Sequence, residues 1–310
     1  MESTKTTGPS PSVPAVGVRL YRYSLFVVAF TLLHIKIGAM VTSTGSGMAF
    51  ADWPLSDGSL WPPGMGLDGL FEHGHRTSGT VVGMLVLALT IWVCVRDPRA
   101  WMRRVAIGAL ALVVLIGVLG GVGVLMELPA GTSIAHAVLA QVILCVLTLI
   151  SFGLSTAWSH RVAAAPAQVR VARRLTGAGF VLVFLQLFVG AVVRHTNAQG
   201  MLWLHVFMAL IVALIILIGA IYCGSRFPHA GFEKVSKIVM GLLLTQILLG
   251  FITLAVRKVK DPSNIEHIGS SLVATTHVVV GAALFLSSSL LFYQALRSLR
   301  GESGVEPTRA

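Results

Sequence analysis

The sequence predicts an all-α membrane protein, eight transmembrane helices arranged as two pseudo-symmetric four-helix bundles. Three observations carry this prediction. The 310 residues are 55% hydrophobic and only 11% charged, against about 25% charged in a soluble domain. Eight apolar runs succeed one another, each near the ~20 residues that a bilayer span requires. The pattern that closes the first four runs returns in the second four.

The spans are placed at 20–41, 75–95, 104–126, 133–156, 173–193, 201–223, 235–256 and 270–295. Residues 1–18, rich in Ser, Thr, Pro and Gly without periodicity, read as a disordered tail. Residues 19–160 form the N-terminal half, 161–296 the C-terminal half, and 297–310 a second tail. The net charge of +11 resides mostly in short loops between apolar runs. Seventeen Lys and Arg fall on one side and five on the other, with Lys36 inside the first span. The positive-inside rule then puts both termini in the cytoplasm and explains the basic balance without nucleic acid. The partner of this surface is membrane lipid. Cys94, Cys145 and Cys223 lie in apolar runs and read as small buried hydrophobes, not as disulfide or metal cysteines.

The repeat is clearest where Gly38-Ala39-Met40-Val41-Thr42-Ser43-Thr44-Gly45 ends the first span and Gly190-Ala191-Val192-Val193-Arg194-His195-Thr196-Asn197 ends the fifth. Each is followed by an outside loop and a span that opens with histidine. A parallel duplication of a four-span unit gives this order. The first outside loop, Thr42 to Gly74, is long, lacks Lys and Arg, and carries Asp52-Trp53-Pro54 and Trp61-Pro62-Pro63. Its aromatic content marks a loop that packs over the outer surface as a lid.

His75, His136, His205 and His277 stand near the outer ends of the even-numbered spans. Each has a small residue four positions on, Gly79, Ala140, Ala209 and Gly281, so each imidazole shares a helix face with a patch of little side chain. Two such helices facing each other clamp one haem between two imidazoles. His75 with His136 makes the first site and His205 with His277 the second, with haem iron as the metal. A zinc site would instead want its ligands converging on one point.

The halves differ. Glu72 precedes His75 by three residues, and Leu202 stands at the matching place before His205. The half with the carboxylate is the candidate for chemistry. Glu72 also stands four before Arg76, the spacing of a helical ion pair. The second half has Arg194-His195 where the first has Ser43-Thr44. Arg76, Arg194, His195 and Lys36 are candidates for holding the acidic groups of a ligand or supporting the histidines. Lys36 is expected to face an acidic group in the first half. His34 is read as structural.

These residues resemble those of the haem A synthase family. The resemblance runs from about residue 20 to 295 and rests on the Gly38–Gly47 segment with Asp52-Trp53-Pro54, on Glu72-His73-Gly74-His75-Arg76, on Gly190–Thr196 and on the four histidines. It implies an oxidoreductase that converts the C8 methyl of haem O to a formyl group by two successive hydroxylations and a dehydration. It implies haem O as substrate on His75 and His136, Glu72 as the essential carboxylate, and haem b as cofactor on His205 and His277. It also implies a bacterial cytoplasmic membrane, supply by a haem O synthase, delivery to the cytochrome oxidase assembly machinery and an electron partner; a homo-oligomer is left open as a partner of the chain. The chain departs from the family pattern in lacking a cysteine pair in the first outside loop, and in having Ser43 where many members carry Arg or Lys. The alternative function is a di-haem b cytochrome that only passes electrons; a transporter with histidines along its path is the third.

Overall fold

A computed structural model describes residues 17–228, 231–257 and 265–301, with the side chains of 265–267 excepted. The predicted tails therefore fall largely outside the described residues. Among the described residues eight α-helices run in chain order: α1 Val18–Thr44, α2 Leu67–Arg96, α3 Ala100–Leu125, α4 Ala130–Leu154, α5 Pro166–Thr196, α6 Gln199–Arg226, α7 Phe232–Val256 and α8 Ile265–Ser298. Each is long and apolar enough to cross a membrane. Every predicted span is present, and most helices outlast the apolar run that signals them.

The largest difference is at α2. The apolar run predicts a start at residue 75, and the helix begins at Leu67. Pro62-Pro63-Gly64 precedes it, Gly66 occupies the N-cap, and Asp68 lies in the first turn, where a carboxylate favours the helix dipole. Glu72 and His73 are thus helical and buried rather than at the helix mouth.

Within residues 18–154, α1 packs on α2, α2 on α3, α3 on α4, and α4 back on α1. The ring α5–α6–α7–α8 closes in the same way. The rings meet through α1, α4, α5 and α8. Their cores interlock: Ala282 of α8 joins the cluster of Val27, Val86, Leu144 and Leu147, and Cys145 of α4 joins that of Val183, Ile216 and Phe285. The Tyr293 hydroxyl lies 2.6 Å from Cys145 Sγ across the same seam. All three cysteines are free.

The repeat is visible in the backbone. α1 and α5 both end on a left-handed cap, Gly45 with φ 76° and Asn197 with φ 53°. The cap N–H groups bond to Val41 O and Val193 O. This registers Arg194 with Thr42 and His195 with Ser43, as the Gly38 and Gly190 segments align, and one residue from the pairing of Arg194-His195 with Ser43-Thr44.

The opposite end holds a short parallel ladder that the sequence pattern does not reveal. β1, Val162–Ala164, from the link between halves, pairs with β2, Leu299–Gly301, after α8. Arg173 donates to the carbonyls of Ala295, Leu296 and Leu299 and ties the end of α8 to α5. The segment predicted as tail from residue 297 thus completes α8 and adds a strand before the described chain ends.

Candidate haem sites and their lid

The four histidines meet in the predicted pairs. The rings of His75 and His136 have centroids 6.2 Å apart at 78°. Those of His205 and His277 are 6.3 Å apart at 74°. Two metal–nitrogen bonds of ~2 Å, with each ring centre ~1 Å further back, place the centroids about 6 Å apart. Both pairs fit a bis-imidazole metal.

Each ring is seated on a glycine of the preceding helix. A Cβ built on Gly38 of α1 would lie 2.6 Å from His75 Cε1, and one on Gly120 of α3 would lie 3.0 Å from His136 Cε1. The corresponding distances are 3.1 Å for Gly190 of α5 to His205 and 3.3 Å for Gly250 of α7 to His277. The small residues four positions after the histidines do other work. Gly79 accommodates His34, and Gly281 accommodates Gln246 and Leu187. The sequence pattern thus signals the need for small residues but points to the wrong helix. The seat glycines are open to discovery, since Gly38 and Gly190 head the repeated segment.

One turn before each seat stands a residue that meets the histidine's own helix or ring. Gln186 Nε2 donates to His205 O at 2.8 Å and lies 3.2 Å from His205 Nδ1. Gln246 Nε2 lies 3.3 Å from His277 Nε2. His136 Nδ1–H donates to Ile116 O at 3.1 Å. The fourth is His34, whose ring stacks on His75 at 4.5 Å and 9°. The carbonyl oxygens of Gln186 and Gln246 are buried and without a partner. A half-turn of the Gln246 amide brings that oxygen to the ring nitrogen, where it accepts the N–H that a metal-bound imidazole carries; for Gln186 the same turn gives up the bond to His205 O. The second pair therefore fits a resident haem in donor type, spacing and hydrogen-bonding capacity.

Glu72 lies one turn before His75 and is buried. Its Oε1 accepts from Arg76 Nη2 at 2.5 Å, and its Oε2 accepts from the Phe50 N–H at 3.0 Å. Arg76 also donates to Phe50 O at 3.0 Å, to Asp52 O at 2.7 Å and to Leu55 O. Its guanidinium is thus committed to the first loop and to Glu72, not left free for a ligand's acid. His73 adds Ser56 at 3.1 Å and Thr77 at 3.3 Å. Trp53 lies against Gly121, next to the His136 seat, where a Cβ would come within 2.4 Å of the indole. The loop is therefore a packed lid, pinned to α2 and α3 beside the first histidine pair. Asp52 closes a turn in it by accepting from the N–H groups of Gly58 and Asp57, both at 2.9 Å. Those bonds, Gly58's first, hold its carboxyl below the usual range, so the turn keeps its charge into acidic solution.

Arg194 crosses between the halves. Its Nη2 donates to Ala39 O at 2.5 Å and to Ser43 Oγ at 2.6 Å. Ser43 also lies 3.0 Å from Thr275 Oγ1 and accepts from Ser271 at its carbonyl at 2.9 Å. A guanidinium from α5 thus reaches the place of Ser43 on α1. Its anchor, Ala39, adjoins the His75 seat. His195 is half-buried beside it. Lys36 is the exception among the candidates: it is exposed, on the stripe of α1 that carries Leu25, Phe26 and Leu33. A lysine on such a face snorkels along its stem, and the structure does not bring it to the first histidine pair.

Residues 65–203 match the family model for COX15-CtaA, described as cytochrome oxidase assembly protein. That stretch holds Glu72, His75, His136, Arg194 and His195 and stops before His205. Curated relatives carry the name Heme A synthase. One from Symbiobacterium thermophilum is 31% identical over 185 residues, 57% of this chain and 59% of its own length. One from Methylorubrum populi is 29% identical over 232 residues, 62% of this chain and 57% of its own length. One from Alkalihalophilus pseudofirmus is 25% identical over 242 residues, 68% of this chain and 78% of its own length. Over these stretches the chain is similar to proteins named Heme A synthase. It matches less than two thirds of the length of the Symbiobacterium and Methylorubrum relatives. Within the stretch that matches the family model lie the clamp of the lid, Arg76, the carboxylate and the first histidine pair.

Proposed function

We propose that this chain is a haem A synthase, oxidising the C8 methyl of haem O to a formyl group in two hydroxylations, each a two-electron oxidation by an external oxidant, and a dehydration that releases water. The observation that carries this reading is an asymmetry inside a repeat. Both halves hold paired imidazoles at nearly the same separation, and the first adds a buried carboxylate, Glu72, under an ordered lid. An electron-carrying cytochrome needs neither addition. In this reading His75 and His136 hold the substrate, haem O, and His205 and His277 hold a haem b. That haem b, when bound, supplies one-electron redox capacity beside the substrate half.

The residues of the chain divide the work. The Gly38 and Gly120 seats set where the first two imidazoles stand. Arg76 fixes the lid and orients Glu72, while Trp53 covers the α3 side and excludes water. The Glu72 carboxylate places negative charge near the substrate, where it stabilises positive charge developing at the methyl carbon or takes up a proton. The histidine end faces the outside of a bacterial cytoplasmic membrane, and the basic end faces the cytoplasm. A haem O synthase supplies the substrate, and the product passes to cytochrome oxidase assembly.

The test is production. Expressed with a haem O synthase in a host that makes no haem A, the chain should yield haem A on extraction and chromatography. Haem O alone, from a membrane fraction shown to contain the protein, would point to the electron-transfer alternative.

A further inference from the structure

The four histidines have different supports, and the difference falls between the halves. His205, His277 and His136 each have one ring nitrogen in a hydrogen-bonding contact, leaving the other for a metal. Among the described residues the His75 ring makes no hydrogen bond; its Nδ1 is buried without a partner, as is that of His277, whose Nε2 however has Gln246. What it has instead is His34, stacked at 4.5 Å and 9°. His34 occupies the position of Gln186: each lies four residues before its seat, Gly38 or Gly190. The slot for the extra ring is built. His34 Nδ1 is bonded to Ser78 Oγ at 2.9 Å, and its Cε1 lies 3.2 Å from the Cβ position of Gly79. In the second half Met208 and Ala209 stand where Ser78 and Gly79 stand in the first. An amide that bonds the ring nitrogen fixes a metal-binding imidazole's orientation and raises its basicity. A stacked ring holds the plane of its neighbour but gives its nitrogen nothing.

We propose that His34 is the positioning residue that makes the first histidine pair the exchangeable haem site, while Gln186 and Gln246 make the second a retaining site. This rests on the haem reading above and goes beyond it. A substrate site must release what it binds, and a cofactor site must not. The chain achieves both with the same four imidazoles by changing the residue one turn before the seat.

The experiment is haem transfer. Full-length protein in detergent, loaded with iron protoporphyrin, is mixed with excess apomyoglobin, and the loss is followed in the Soret band. The wild type should lose its haems in a fast and a slow phase, the fast one absent in His75→Ala and the slow one absent in His205→Ala. His34→Gln should slow the fast phase by roughly tenfold or more and leave the slow phase in place. The reciprocal change, Gln186→His, should accelerate the slow phase alone. It tests the same idea should His34→Gln fail to fold. Unchanged phases in either folded variant, or a fast phase that belongs to the second pair, would overturn the inference while leaving the haem sites standing. A wild type that takes up no haem would overturn both.

Discussion

Glu72→Gln is expected to lower haem A formation by about a hundredfold or more while the protein keeps both haems. The substitution keeps the shape of the side chain, removes its charge and turns an amide NH2 toward Arg76 in place of the oxygen that accepts from it. Glutamine retains an oxygen for the Phe50 N–H that Oε2 now accepts. Arg76 loses its ionic partner but keeps the carbonyls of Phe50, Asp52 and Leu55, so the lid stays clamped. Glu72→Ala is more disruptive, because it leaves the Phe50 N–H buried and unpaired at a cost of about 1–3 kcal/mol. The two variants together separate charge from scaffold. Haem A formation should collapse in both, and protease resistance of the lid should fall only in the alanine variant. Undiminished haem A from Glu72→Gln would remove the carboxylate from the chemistry and leave it as part of the lid's anchorage.

The second large effect is expected at a residue with no functional group. Gly38→Val should empty the first haem site. A Cβ there meets His75 Cε1 at 2.6 Å, closer than carbon atoms pack, and the ring cannot retreat freely because His34 lies against it. Overpacking of this kind costs about 1–3 kcal/mol, and each 1.4 kcal/mol is about tenfold in affinity. The matching change at the last seat, Gly250→Ala, faces a looser 3.3 Å contact and should cost far less. Haem content of the purified variants reads the difference: the Gly38 variant should retain the second-half haem and lose the first. Full occupancy of both sites in Gly38→Val would mean that the glycine does not seat the ligand.

Periodicity and residue type made much of the molecule legible in advance. Eight apolar runs mark the spans, the Gly-Ala repeat marks the two rings, and four histidines at one depth mark the pairs. Other features lie beyond such patterns. The start of α2 is hidden because Leu67–Gly74 is too polar to read as a span; its polar groups are satisfied by the lid, a contact between residues about twenty apart in the chain. The support of the histidines is hidden because it crosses helices. Gln186 and Gln246 carry no signal alone, and His34 reads as merely structural until its ring is found on His75. Lys36 shares a helical face with Ser43, which suggests a ligand for it, yet periodicity does not say which face meets the bundle. Arg194 stands out in the sequence as unusual, but its reach to Ala39 and Ser43 depends on how the two rings dock.

The most direct measurement is haem stoichiometry by pyridine haemochrome, paired with electron paramagnetic resonance of the oxidised protein. Loaded wild-type protein should hold two low-spin, bis-imidazole haems per chain. His205→Ala and His75→Ala should each lose one signal, and a different one. A wild type that binds a single haem, or a His205→Ala variant that still holds two, would contradict the reading that four histidines, seated on four glycines, make two separate haem sites.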